Sequence, residues 1–214
     1  MQIKRTPPAH RRAGTMAVGL MLTPFRVARF QLLTAIDLFF EDRDPVSVQG
    51  LAGNARELLE SLCRLESIEP MTELLVRDNQ QPKKNIYKAM NLYRNCFKHL
   101  GKTQAERDDD QITLNQFDDT KNEWLLYICV EDYLRLRQHK SPITMQVFQL
   151  WFVALHEELL EDPTDFVPRV REIFPGIKAM PRSQQKRMAL AALKQAAADP
   201  VLLADPRTEP TVLA

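Results

Sequence analysis

Glycine is scarce in this chain, with 6 in 214 residues, and runs of β-branched residues are few. Tight hairpins and glycine-rich phosphate loops need such residues, which argues against an all-β fold and against a Gly-loop α/β fold. Cysteine is also sparse. The 3 cysteines, Cys63, Cys96 and Cys129, are odd in number, lie far apart and form no CxxC pair. They support neither a disulfide framework nor a zinc ribbon, and the expected compartment is a reducing cytoplasm. No run approaches the roughly 20 apolar residues of a membrane span, so no membrane partner is expected. An excess of one charge is missing as well: Lys+Arg 29 against Asp+Glu 28 leaves a formal charge of +1. Bulk attraction to a nucleic acid or an anionic membrane is therefore excluded, and any such binding must come from a local patch. There is no GxxxxGK[ST] loop, no GxGxxG turn, no HExxH and no recognisable nucleophile motif. His10, His99, His139 and His156 have no paired ligand spacing, and the acidic residues lack EF-hand spacing, so neither a metal nor another cofactor is implied.

What is present is a globular balance, 44% hydrophobic and 27% charged, ordered into helical periods. Lys4, Arg5, Arg11 and Arg12 make residues 1–22 a basic leader, expected to be disordered, with Met1 and Met16 as alternative starts. Its short apolar stretch, Met16 to Leu22, contains Gly19 and no small-x-small cleavage site, unlike a signal peptide. Thr23-Pro24 is a cap-then-proline start, followed at helical spacing by Phe25, Ala28, Leu32, Ala35, Ile36 and Phe39. Asp44-Pro45 repeats the device ahead of Val48, Leu51, Ala52, Ala55, Leu58, Leu59 and Leu62, and an antiparallel hairpin is the economical pairing of the two. Met71 to Val76 reads as a short helical turn. A third long helix begins near Pro82 and stops before Gly101. Thr103 to Asp119 reads as a long acidic loop with a mobile or functional role. Further helices are expected over Thr120 to Arg137, from Ser141-Pro142 to Asp162-Pro163, around Phe166 to Phe174, and over Ser183 to Ala198. The expectation is an all-α antiparallel bundle of about five main helices spanning 23–198, with a flexible tail over 199–214.

Arg94-Asn95-Cys96-Phe97-Lys98-His99 stands near the end of the third long helix. This arrangement resembles the motif of the HEPN superfamily, all-helical proteins that include prokaryotic ribonuclease toxins. Their pattern is an Arg, four to six residues, then a His, commonly with a polar residue after the Arg. Arg94, Asn95 and His99 match it. Gly101 stands where some members carry a Tyr that can be modified, so that form of control is not implied. Phe39 to Val48 and Asn95 to His99 also resemble segments of an uncharacterised bacterial family, a likeness that carries no function.

The resemblance implies a metal-independent endoribonuclease, a toxin or defence effector. His99 would take the proton from a ribose 2′-hydroxyl, a task suited to a group whose ordinary pKa is about 6.5. Arg94 would clamp the phosphate through its donor fork. Asn95, four positions before His99, shares its helix face and would orient the ring. Lys98, Lys102, Lys83 and Lys84 would attract RNA. Arg94 and His99 are about 140° from alignment on an ideal helix. The resemblance therefore also implies a homodimer lining one cleft, together with a partner antitoxin. Beside this stands a plainer reading, a non-catalytic helical module that binds a protein or a nucleotide. In it His99 and the last-turn lysines complement the helix dipole, and Arg94 pairs with a carboxylate across the bundle.

Overall fold

The computed structural model describes residues 21–79, 82–160 and 166–211. The leader expected over 1–22 lies outside the described residues except for Met21 and Leu22, both exposed. The helices, in order, are α1 (Pro24–Phe40), α2 (Pro45–Leu65), α3 (Met71–Asn79), α4 (Lys83–Lys98), α5 (Gln104–Asn115), α6 (Thr120–Leu136), α7 (Ile143–Leu155), α8 (Phe166–Ile173), α9 (Arg182–Ala198) and α10 (Pro200–Ala204). Among the described residues the only strands are two-residue segments, β1 (Ser141–Pro142) and β2 (Thr208–Glu209), which pair in parallel. The class is all-α. No described helix is long and apolar enough to cross a membrane.

Local chemistry sets the first two helices. The Thr23 hydroxyl accepts the Arg26 N–H at 3.2 Å, and the Asp44 carboxylate accepts from Val46 and Ser47 at 3.0 and 3.2 Å. Each cap is followed by proline, whose fixed φ suits the first helical turn. Ala28 and Ala35 on α1 and Ala52 and Ala55 on α2 are fully buried, and their small side chains let the two helices pack closely. α6 adds Leu126, Cys129 and Tyr133 to this core, and α7 adds Phe148, Trp151 and Phe152. Phe39 and Phe40 meet Trp151 edge-on at 5.5 and 5.7 Å between ring centroids, a favoured aromatic geometry.

Three expectations are corrected. The acidic stretch 103–119 is not an unstructured loop: its middle is helix α5, started by a capping box in which Thr103 and Glu106 satisfy each other's backbone N–H. The tail is not free from residue 199. Asp199-Pro200 caps α10 by the same device as α1 and α2, and the chain then docks up to Thr211. A buried charge explains the docking. Arg29 is fully buried and donates to the Tyr133 hydroxyl at 3.0 Å and to the carbonyls of Pro210 and Thr211. Glu209, 7% exposed, accepts from Tyr133 and pairs with Arg137 at 2.6 Å. Met71–Val76, read as a single turn, lies within the longer helix α3.

A second polar cluster ties α9 to the core. Lys186, 3% exposed, sits between Asp42 and Asp119, while Arg182 reaches Glu123 at 2.5 Å and Glu123 meets His156 at 2.9 Å. His156 is thus a half-buried structural histidine at the C-cap of α7.

Candidate nucleic-acid interface

α4 carries Lys83, Lys84, Lys88, Arg94 and Lys98 and not one Asp or Glu, and none of its residues is buried. It lies against α2, α3 and α5 and separates its chemistry by face. At about 100° per residue, Lys84, Lys88, Asn95, Lys98 and His99 fall within an arc of about 100°. Those five side chains are all exposed. No ion pair among the described residues holds Lys84, Lys88, Lys98 or Lys102.

The cations on the flank of this arc are occupied. Lys83 pairs with Glu73 at 2.6 Å. Arg94 pairs with Glu57 of α2 and lies across Gly53, where an added Cβ would come within 2.9 Å of the Arg94 side chain. Next to it Arg56, nearly fully buried, meets Glu60 at 2.5 Å and donates to Asn91 at 2.7 Å. Glu60 and Glu73 also hold Arg64 and accept from Tyr87. Arg94 therefore belongs to a charged seam joining α4 to α2 and α3, the carboxylate partner that the plainer reading requires. It does not line the cleft that holds His99.

Asn95 and His99 do come together. They line a cleft of about 430 Å³ with Lys88, Cys96, Lys102, Glu106 and Asp110, among others. His99 is the C-cap of α4, its N–H donating to the Asn95 carbonyl at 2.9 Å. Both carboxylates of the cleft are committed to backbone N–H groups. Glu106 accepts from Lys102 and Thr103 at 2.7 and 2.9 Å, bonds that hold its pKa below the ordinary value. Asp110 accepts the Gly101 N–H at 3.0 Å. Gly101 is required at this corner: a Cβ there would meet the α5 backbone at 2.7 Å. The Cys96 thiol is pushed up by burial and by Asp110, so it stays protonated and is a poor nucleophile. The positive end of the α5 dipole faces the same corner and offsets the negative end of α4.

Among the described residues, no group of three His, Cys, Asp or Glu side chains could hold a metal ion. Of the sequence-predicted residues, Asn95, His99, Lys98, Lys102 and Lys84 lie on or beside the open face, whereas Lys83 and Arg94 are paired elsewhere. Lys88 was missed. Its signal was available, since it completes the stripe of Lys84, Lys88, Asn95 and His99 at helical spacing. His139 adopts a positive φ of 64° and is exposed, while its neighbours Arg135 and Arg137 are engaged by the Glu69 carbonyl and by Glu209. No family model, curated protein or solved structure matches the chain.

Proposed function

We propose that this chain binds single-stranded RNA through the exposed face of α4. The observation that carries the reading is the row Lys84, Lys88, Asn95, Lys98 and His99 on an acid-free helix, its lysines in no ion pair among the described residues. In a protein of formal charge +1 such a row is a local basic field, the kind of patch that overall composition did not supply. Phosphates bind the lysines with release of counterions, and Asn95 and His99 offer hydrogen bonds to sugar and base. Anisotropy of labelled single-stranded RNA, read across a salt series, tests this. Affinity that is independent of salt would refute it.

Cleavage is the second reading, favoured by one observation: His99 and Asn95 share an open cleft with Lys88 and Lys102. A general base beside cations suits attack by a 2′-hydroxyl. Here the phosphate clamp falls to Lys88 and Lys102, because Arg94 is held by Glu57. RNA incubated with the protein in EDTA decides between binding and cleavage. Cleavage yields 2′,3′-cyclic phosphate ends and is lost in His99→Ala; intact RNA leaves the binding reading alone. A symmetric dimer at this end of α4, an antitoxin partner and a cytoplasmic setting belong to the cleavage reading. Light scattering at micromolar protein tests the dimer.

A further inference from the structure

On the opposite side of α4 from the lysine row runs a groove of about 260 Å³, lined by Gln49, Ala89, Met90, Tyr93, Lys121, Trp124, Leu125 and Ile128. Three features set it apart from an ordinary packing gap. Its wall carries a large aromatic left in solvent: Trp124 is 42% exposed, although its ring is braced edge-on against Phe152 at 5.1 Å. Tyr93, on α4, is fixed by the turn that follows α5, through a 5.0 Å ring contact with Phe117 and a hydrogen bond to the Gln116 carbonyl at 3.3 Å. The second feature is Gln49. It is 3% exposed, it lines the groove, and its buried Oε1 has no hydrogen-bond partner. A buried acceptor without a donor costs about 1–3 kcal/mol, a penalty that a ligand N–H removes. The third is Lys121, exposed on the rim and in no ion pair among the described residues, with Asp118 near enough to feel its charge.

We infer that this groove is a binding site for one nucleobase that presents an amino donor on its edge, adenine being the probe, with its phosphate on Lys121. The assignment follows from the chemistry present. Aromatic walls ask for a flat ring, the Gln49 oxygen asks for an N–H donor on its edge, and the rim lysine asks for an anion beyond it. The volume is below the roughly 300–1,000 Å³ of drug-sized pockets, which suits a single ring system. The site does not need the α4 lysine row. A free nucleotide and an unstacked base of an RNA strand present the same chemistry, and the experiment separates them.

Adenosine monophosphate and its N6,N6-dimethyl form, which lacks the amino donor, are titrated against the full chain, with a short oligoadenylate as the strand probe. Trp124 fluorescence is the readout, and Trp124→Phe identifies the signal against the buried Trp151. The expected result is quenching by adenosine monophosphate, with binding about tenfold weaker for the dimethyl form, the equivalent of one hydrogen bond of about 1.4 kcal/mol. In Gln49→Met that preference disappears while the melting temperature holds or rises, because the substitution removes an unpaired buried acceptor. Quenching by oligoadenylate alone, lost in Gln49→Met, supports the site with RNA as its source. Absence of quenching by both probes, or quenching unchanged in Gln49→Met, overturns the inference. RNA binding that survives Gln49→Met but fails in a Lys84→Ala/Lys88→Ala double variant leaves the α4 reading standing without the pocket. Gln49-dependent nucleotide binding without RNA binding does the reverse.

Discussion

Replacing Lys84 and Lys88 together by alanine tests the RNA reading at its electrostatic root. Alanine is the best helix former, and both positions are exposed and in no ion pair among the described residues, so α4 is kept while two charges are removed. Four lysines, 84, 88, 98 and 102, stand on or beside the face. If each neutralises one phosphate, log K falls against log salt with a slope of about −2.8, at about −0.7 per contact on a single strand. Raising salt from about 50 to about 200 mM then weakens wild-type binding about 50-fold. With two contacts left, the slope becomes about −1.4 and the same salt step costs about sevenfold. Anisotropy of labelled RNA at several salt concentrations measures both slopes, and Lys194→Ala on the exposed face of α9 serves as the control. Equal slopes for wild type and double variant would refute the reasoning, as would an equal flattening by Lys194→Ala.

Arg94→Ala should lower the melting temperature by about 2–4 °C and leave RNA affinity unchanged, because Glu57 is 45% exposed and the pair is worth about 1 kcal/mol; a selective loss of RNA binding would return Arg94 to the site. Glu209→Ala should cost about 3–5 kcal/mol, since it strips a partner from the buried Arg29, and calorimetry should find a fall of about 6–20 °C. A change within error would mean that the tail is not anchored as described. Asp132 should impose a pH dependence: desolvation lifts its pKa from 3.8 to about 6. The folded state therefore binds the proton more tightly than the unfolded state between those values, so stability falls as pH rises through them, by up to about 3 kcal/mol. Urea midpoints of Asp132→Asn should exceed wild type at pH 7 and match it at pH 4; equal midpoints at both would remove Asp132 from the account.

The all-α class and the starts of α1 and α2 were legible in the sequence because their causes are local. Thr23-Pro24 and Asp44-Pro45 act on N–H groups two or three residues away. The shared face of Asn95 and His99 was legible for the same reason: four residues make about one turn. Helix α5 was harder to read. Its polar run Asp108-Asp109-Asp110 has the composition of a loop, yet Asp110 caps the Gly101 corner and Phe117 beyond it packs on Tyr93 and Phe97. The tail gave still less, since Glu209 is held by Arg29 on α1, at the other end of the chain, together with Tyr133 and Arg137. What the tertiary structure alone decided is which cations are free. Arg94 and Lys88 look alike in the sequence, but Glu57 on α2 takes one and no described carboxylate pairs with the other. Helical spacing repeats along the chain and can be read from it, whereas an ion pair between two helices leaves no periodic trace and exists only once they have packed.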